Sequence, residues 1–152
     1  MERVHIDYCE YKGKMLLVMI DAYSKYIWTH IMTSDTTSMK TLAVLYNWFC
    51  EQNGFPVTIV SDNGPQFTSH EFKDKMAKWG VKHVLTPPYH PASNGLAEKA
   101  VGIVKIHLKK MDSPATPIEL FTNIASVLRV YRSSPQQSTG LTPFELIKKV
   151  PD

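Results

Sequence analysis

A chain of 152 residues, 43% of them hydrophobic, suits one domain with a core of its own, and a net charge of +3 permits a polyanionic partner without requiring one. Cys9 and Cys50 lie far apart without any Cys-x-x-Cys or paired-histidine spacing, so neither a disulfide framework nor a zinc finger is signalled, and both read as buried thiols of a reducing compartment. The longest apolar run, "MLLVMI", is far shorter than the roughly 20 residues that span a bilayer, so the chain is expected to be soluble, with no membrane partner.

The first three elements are "RVHIDYCEY", "KMLLVMIDAY" and "KYIWTHIM", rich in Val, Ile, Tyr and Trp and separated by short Lys-Gly and Ser-Lys breaks. They predict an antiparallel meander. Over residues 38–52, Leu42, Leu45, Tyr46 and Phe49 recur at helical spacing, with Ser38 as the expected N-cap and Gly54 as the stop. The β-branched run "VTIV" at 57–60 then suits a buried parallel strand.

The stretch "IVSDNGPQFTS" is less ordinary. Asp-Asn-Gly after a strand normally makes a hairpin, yet the next residues carry a helical pattern, "SHEFKDKMAKWG", closed by Gly80. Asp62 is therefore a candidate for chemistry rather than only for turning. "VKHVL" reads as a fifth strand, and "TPPYHPASNG", with three prolines, as a loop. Helices are predicted over 98–111, 117–131 and 143–149. Together these give an α/β fold: a five-stranded mixed sheet, three strands in a meander and two parallel, flanked by helices. Trp48, Phe49, Phe72 and Trp79 are expected in its core, and His90 as a loop hydrogen-bonder.

Three acids stand out. Asp7 sits in the first strand on an apolar background, where a carboxylate is costly to bury without a positive partner. Asp62 ends a parallel strand expected beside it, and Glu98 opens the helix after the proline loop. Each alone has a structural reading, as a turn former or a helix-dipole partner. Convergent carboxylates repel one another unless divalent cations lie between them, and hard, oxygen-preferring Mg²⁺ suits such a site. A pair of such ions supports phosphoryl transfer without a nucleophilic side chain.

The motifs "HIDY", "SDNGPQFTS" and "PPYHPASNGLAEKAVGIVKIHLKK", with "IDAYSKYIW" and "TGLTPFELI", resemble the catalytic core of retroviral and long-terminal-repeat retrotransposon integrases of the Ty3/gypsy type. Thirty-five residues, 63 to 97, separate Asp62 from Glu98, which matches that family's D,D-35-E signature. The resemblance implies a ribonuclease-H-like fold and a polynucleotidyl transferase with endonuclease activity, performing 3′-end processing and DNA strand transfer. It implies Asp7, Asp62 and Glu98 as catalytic, metal-binding residues for two Mg²⁺ or Mn²⁺ ions, DNA as partner, a homodimer through the first helix and the 117–131 helix, and a nuclear location within an integration complex. Asp21 also matches a frequent family Asp, but as the turn-side end of the second strand it is expected to cap a hairpin.

On the helix from Glu98, steps of 100° bring Gly102, Lys105 and Lys109 within about 40° of the acid, so Lys105 and Lys109 are candidate phosphate contacts, while Lys99 and Lys110 read as solvated. Lys105 matches a lysine common in the family; Gly102 stands where some members carry a basic residue. Tyr89 and Asn94 fall at loop positions that the resemblance implies touch DNA ends. The zinc-binding and C-terminal DNA-binding modules of such integrases have no counterpart in these residues, so 1–152 is expected to be a catalytic core excised from, or part of, a longer protein. The competing expectation is a host-adopted DNA-binding or scaffolding protein. A ribonuclease H or Holliday-junction nuclease would not be expected to carry this acid spacing with "DNGPQFTS" and "NGLAE".

Overall fold

In the computed structural model, residues 1–87 and 94–148 are described. Strands β1 (Arg3–Tyr11), β2 (Lys14–Asp21) and β3 (Ile27–Ile31) form the predicted meander. The β1–β2 connection is two residues, Lys12 and Gly13, both at positive φ (51° and 77°), the backbone that a primed hairpin turn requires. The next turn is held by Asp21: its Oδ2 accepts from the Ser24 backbone N–H at 2.9 Å and from the Ser24 hydroxyl at 2.7 Å. Asp21 is thus the turn cap expected of it, and it is buried.

Helix α1 (Ser38–Glu51) carries the chain over to β4 (Thr58–Ser61), which pairs parallel with β1. Its N-cap is Thr37, whose side chain accepts from the Lys40 backbone N–H, one residue earlier than the sequence suggests. Ser38 instead donates its hydroxyl to the Gln66 carbonyl at 2.9 Å. After β4 comes a single helical turn, α2 (Pro65–Thr68), then α3 (His70–Lys78), N-capped by Ser69, then β5 (Lys82–Leu85), parallel to β4. The last three helices are α4 (Gly95–Lys109), α5 (Pro117–Arg132) and α6 (Pro143–Ile147). Thr116 and Thr142 cap α5 and α6 with Pro at the first helical positions, and Thr142 with Glu145 completes a capping box. Among the described residues no helix is long and apolar enough to cross a membrane.

The sheet order is β3-β2-β1-β4-β5. Alternation along the strands sends Val4, Ile6, Leu17, Met19 and Ile59 to one face, where α1 and α3 close a core around Phe49, Phe67 and Phe72. Trp48 and Phe49 are buried in it as expected, and Trp79 packs at its border. Cys9, Tyr11, Leu16, Val18 and Ile20 point to the other face, against Ala100, Val104 and Leu108 of α4 and Leu120, Ile124 and Val127 of α5. Strand β1 is therefore mostly buried, with Asp7 and Tyr8 half-buried and only Arg3 and Glu10 exposed.

Candidate functional site

The register of the parallel strands decides where the acids fall. Arg3 pairs with Thr58, Val4 with Ile59 and His5 with Val60. Continued by two residues, the same offset sets Asp7 level with Asp62, both on the α4 side of the sheet. Asp62 lies just past the last residue of β4, at the carboxyl end where parallel strands present ligands.

The turn after it is built around its carboxylate. Asp62 Oδ1 accepts from the Gly64 backbone N–H at 2.9 Å. A Cβ on Gly64 would come within 3.1 Å of that same oxygen and 3.0 Å of Gln66 Oε1, so a larger residue would crowd the acid. Pro65 then starts α2, and Phe67 plugs the core, stacked on Tyr8 at 5.8 Å and edge-on to Phe72 at 5.6 Å. The Asp-Asn-Gly segment is a turn, then, but one that leads into a helix and aims an acid. Asn63 donates from Nδ2 to the Thr86 carbonyl, tying the turn to the end of β5.

Asp7 is half-buried in mid-strand, its Oδ1 accepting from the Tyr8 backbone N–H at 2.8 Å. Burial first, then the charge of Asp62, then that of Glu98, push its carboxyl up from 3.8 to about 6, against the pull of that hydrogen bond. Asp7 thus feels the charge of both other acids. Glu98 is exposed on the first turn of α4, a helix that starts at Gly95 rather than at Glu98 itself.

Among the described residues no three His, Cys, Asp or Glu side chains stand close enough to enclose a metal ion. The donor chemistry nonetheless fits one: two carboxylates in register, their mutual repulsion expressed in Asp7, with the third acid at the rim. A hard dication would relieve that repulsion and accept oxygen donors of this kind.

The lysines divide. Lys105 is half-buried and its charge is felt by Cys9, two residues along β1 from Asp7 and on the same face. Lys109 is exposed one turn further on. Asn94, expected as a DNA contact, is 3% exposed here, its Oδ1 lies 3.1 Å from His5 Nδ1, and its Nδ2 reaches the Ile6 carbonyl at 3.5 Å. Its amide moors the start of α4 to β1, and the cue was the apolar-flanked His5 in the strand opposite. Tyr89 and His90 lie outside the described residues.

A model of the integrase core domain family matches residues 1–91. The Caenorhabditis elegans protein K02A2.6 is 34% identical over 146 residues, covering 95% of this chain and 11% of that protein. The Gag-Pro-Pol polyprotein of Human T-cell leukemia virus 2 is 33% identical over 117 residues, 76% of this chain and 8% of the polyprotein. The chain spans about a tenth of the length of these relatives. Of solved structures, a chain of the simian T-cell lymphotropic virus intasome in complex with PP2A regulatory subunit B56 gamma superposes with a TM-score of 0.82 at 24% identity, covering 98% of this chain and 55% of that one. The HTLV-2 integrase catalytic core domain in complex with magnesium gives 0.73 at 24% identity, covering 95% of each chain. The ribonuclease-H-like fold is shared.

Proposed function

This chain belongs to the integrase core domain family, and on that premise we propose that it is a metal-dependent polynucleotidyl transferase acting in 3′-end processing and strand transfer of retroelement DNA. The observation that carries the reading is that the charges of Asp62, just past β4, and of Glu98, on α4, both reach Asp7 on β1, with the β1–β4 register continuing toward Asp7 and Asp62. Asp7, Asp62 and Glu98 would hold two Mg²⁺ or Mn²⁺ ions, which when bound activate an attacking oxygen and stabilise the leaving one. Asp7, whose carboxyl feels the charge of both other acids, would be the residue whose repulsion a bound dication relieves most. Lys105 and Lys109 on the Glu98 side of α4 are placed to neutralise phosphates beside the reacting bond, and Tyr89 to touch the DNA end.

Ile118 and Phe121 on α5 are 75% and 64% exposed, and Met39 on α1 is 60% exposed, which supports association of two copies through these helices. The HTLV-2 core is described in dimeric and trimeric forms. Residues 1–152 act here as a catalytic core domain, with DNA in the nucleus as the substrate.

Positioning can supply about 7–11 kcal/mol of a barrier, so the core by itself should favour a substrate already assembled. The expected result is Mn²⁺-dependent rejoining of a branched DNA that mimics the integration product, with little end trimming or strand transfer on linear ends. Glu98→Gln should lose the rejoining. Equal rejoining by wild type and Glu98→Gln would falsify the assignment of Glu98 and put a host-adopted DNA-binding role ahead.

A further inference from the structure

The face of the sheet that carries Asp7 and Asp62 is covered unequally. Helices α4 and α5 pack over β1, β2 and β3. Over β4 and β5 the same face opens into a cleft of about 700 Å³, floored by Arg3, His5, Thr58, Val60, Lys82 and Val84. These residues share one side because the register sets Arg3, Thr58 and Lys82 in one row across three strands, and His5, Val60 and Val84 in the next. The row after that holds Asp7, Asp62 and Thr86. One end of the cleft thus adjoins the acids, and the other ends in cations.

Arg3 and Lys82 are not used by the fold, whereas the Lys25 ammonium donates to the Ala22 carbonyl. The side chains of Arg3 and Lys82 are exposed and take part in no ion pair or hydrogen bond among the described residues. Lys25 lines the cleft from the β2–β3 turn, in a left-handed backbone conformation (φ 63°) fixed by the Tyr131 hydroxyl, which donates to its carbonyl at 2.8 Å. Burial, then the charge of Arg3, holds the Lys25 ammonium below its usual value, and Lys99 adds to the effect from α4, although Asp21 opposes it. Arg3, Lys25 and Lys82 thus line one end of an open groove, with the charge of Lys99 reaching Lys25 from α4. Left alone they repel, and a polyanion lying along the groove would remove that cost.

We propose that this cleft holds the backbone of the DNA strand leading away from the reacting phosphodiester, with Arg3 and Lys82 on its phosphates and Lys25 and Lys99 at the wall. The assignment rests on the reading of Asp7, Asp62 and Glu98 as a strand-transfer site. Arg3 and Asp7 are four residues apart on β1, about 13 Å at ~3.3 Å per residue. Each phosphate of one strand rises ~3.4 Å along the duplex axis while winding about it, so about 13 Å measured along the strand itself puts the contacted phosphates about two nucleotides from the reacting one. The floor is Thr and Val rather than base-reading side chains, so the cleft grips backbone and is indifferent to sequence.

The test is a titration of labelled branched DNA at several salt concentrations, in EDTA, comparing wild type, the Arg3→Gln, Lys82→Gln double variant, and a Lys12→Gln, Lys14→Gln control at the opposite end of β1. The first double variant should bind several-fold more weakly, with the slope of log K against log salt flattened by about two units, one per lost phosphate contact. A single neutral methylphosphonate about two nucleotides from the branch should weaken wild type and leave that variant unaffected. Glu98→Gln should keep the wild-type slope. Should wild type fail to rejoin branched DNA while the slope still falls, the strand-transfer reading fails and the cleft stands as a phosphate site. An unchanged slope in Arg3→Gln, Lys82→Gln, or an equal fall in the control, overturns the proposal.

Discussion

The two halves of the sheet are built to different ends. From β1 to β3 both faces are closed by helices, and side chains such as Leu16, Leu17 and Val18 are wholly buried. Across β4 and β5 one face is closed by α3, and the other is left to Thr58, Lys82 and Val84 at a cleft. The acids sit on the seam between these halves, Asp7 on the last strand of the closed part and Asp62 on the first of the open part. A packed half supplies rigidity, an open half supplies access, and a site that must hold charged groups in place before an approaching polymer needs both.

The largest contrast should appear on truncation. Leu16→Ala, in the closed half, should cost about 2–5 kcal/mol, whereas Val84→Ala at the half-buried cleft should cost about 1 kcal/mol or less. Denaturant midpoints of the two variants measure this directly, and equal losses would mean that the open face is packed after all.

At the seam, charge dominates. Because the folded state raises Asp7 from 3.8 to about 6, its ionised form is disfavoured by folding. Wild type should therefore lose stability as pH rises from about 4 to about 6 and change no further from this cause above that. Asp7→Asn should accordingly be more stable than wild type near pH 8 without metal, by about 1–2 kcal/mol after screening of this half-exposed group by solvent, and the gain should vanish near pH 4. Millimolar Mg²⁺ or Mn²⁺ should raise the Tm of wild type relative to EDTA, and do so much less for the Asp7→Asn, Asp62→Asn double variant. An equal metal shift in both proteins would place the ion elsewhere.

Smaller effects are expected on the helices that border the seam. Lys105→Ala and Lys109→Ala should each flatten the salt dependence of DNA binding by about one unit, and unchanged slopes would mark them as solvated. Thr142→Ala removes the cap of α6, remote from both cleft and acids, and should cost about 1 kcal/mol in thermal melts without altering DNA affinity.

Much of this arrangement was legible in the residues. The three N-terminal strands alternate or run apolar with clear breaks, and the 55-residue offset that pairs His5 with Val60 is the same that separates Asp7 from Asp62. What the sequence hid were features decided by tertiary contact. Ser38 looks like a cap, but Thr37 takes the role and leaves the Ser38 hydroxyl to bridge Ser69 and the Gln66 carbonyl. The one-turn helix α2 has too few residues for a period to show. Helix α4 begins before Glu98 because Asn94 is anchored by His5 from a strand 89 positions away. The basic cleft was equally hidden, since Arg3, Lys25 and Lys82 share no local pattern.

The hydrogen bond of 2.7 Å between the Ser61 hydroxyl and His83 Nε2 lies on the side of β4 facing away from the acids. Ser61 and Asp62 are neighbours pointing in opposite directions, so a slip of one residue would turn the carboxylate into the core and the hydroxyl toward substrate. The site therefore has no half-working neighbour in register space. A slip of two residues would restore the facing but move the carboxylate a row away from Asp7, so one alignment alone keeps the two acids level.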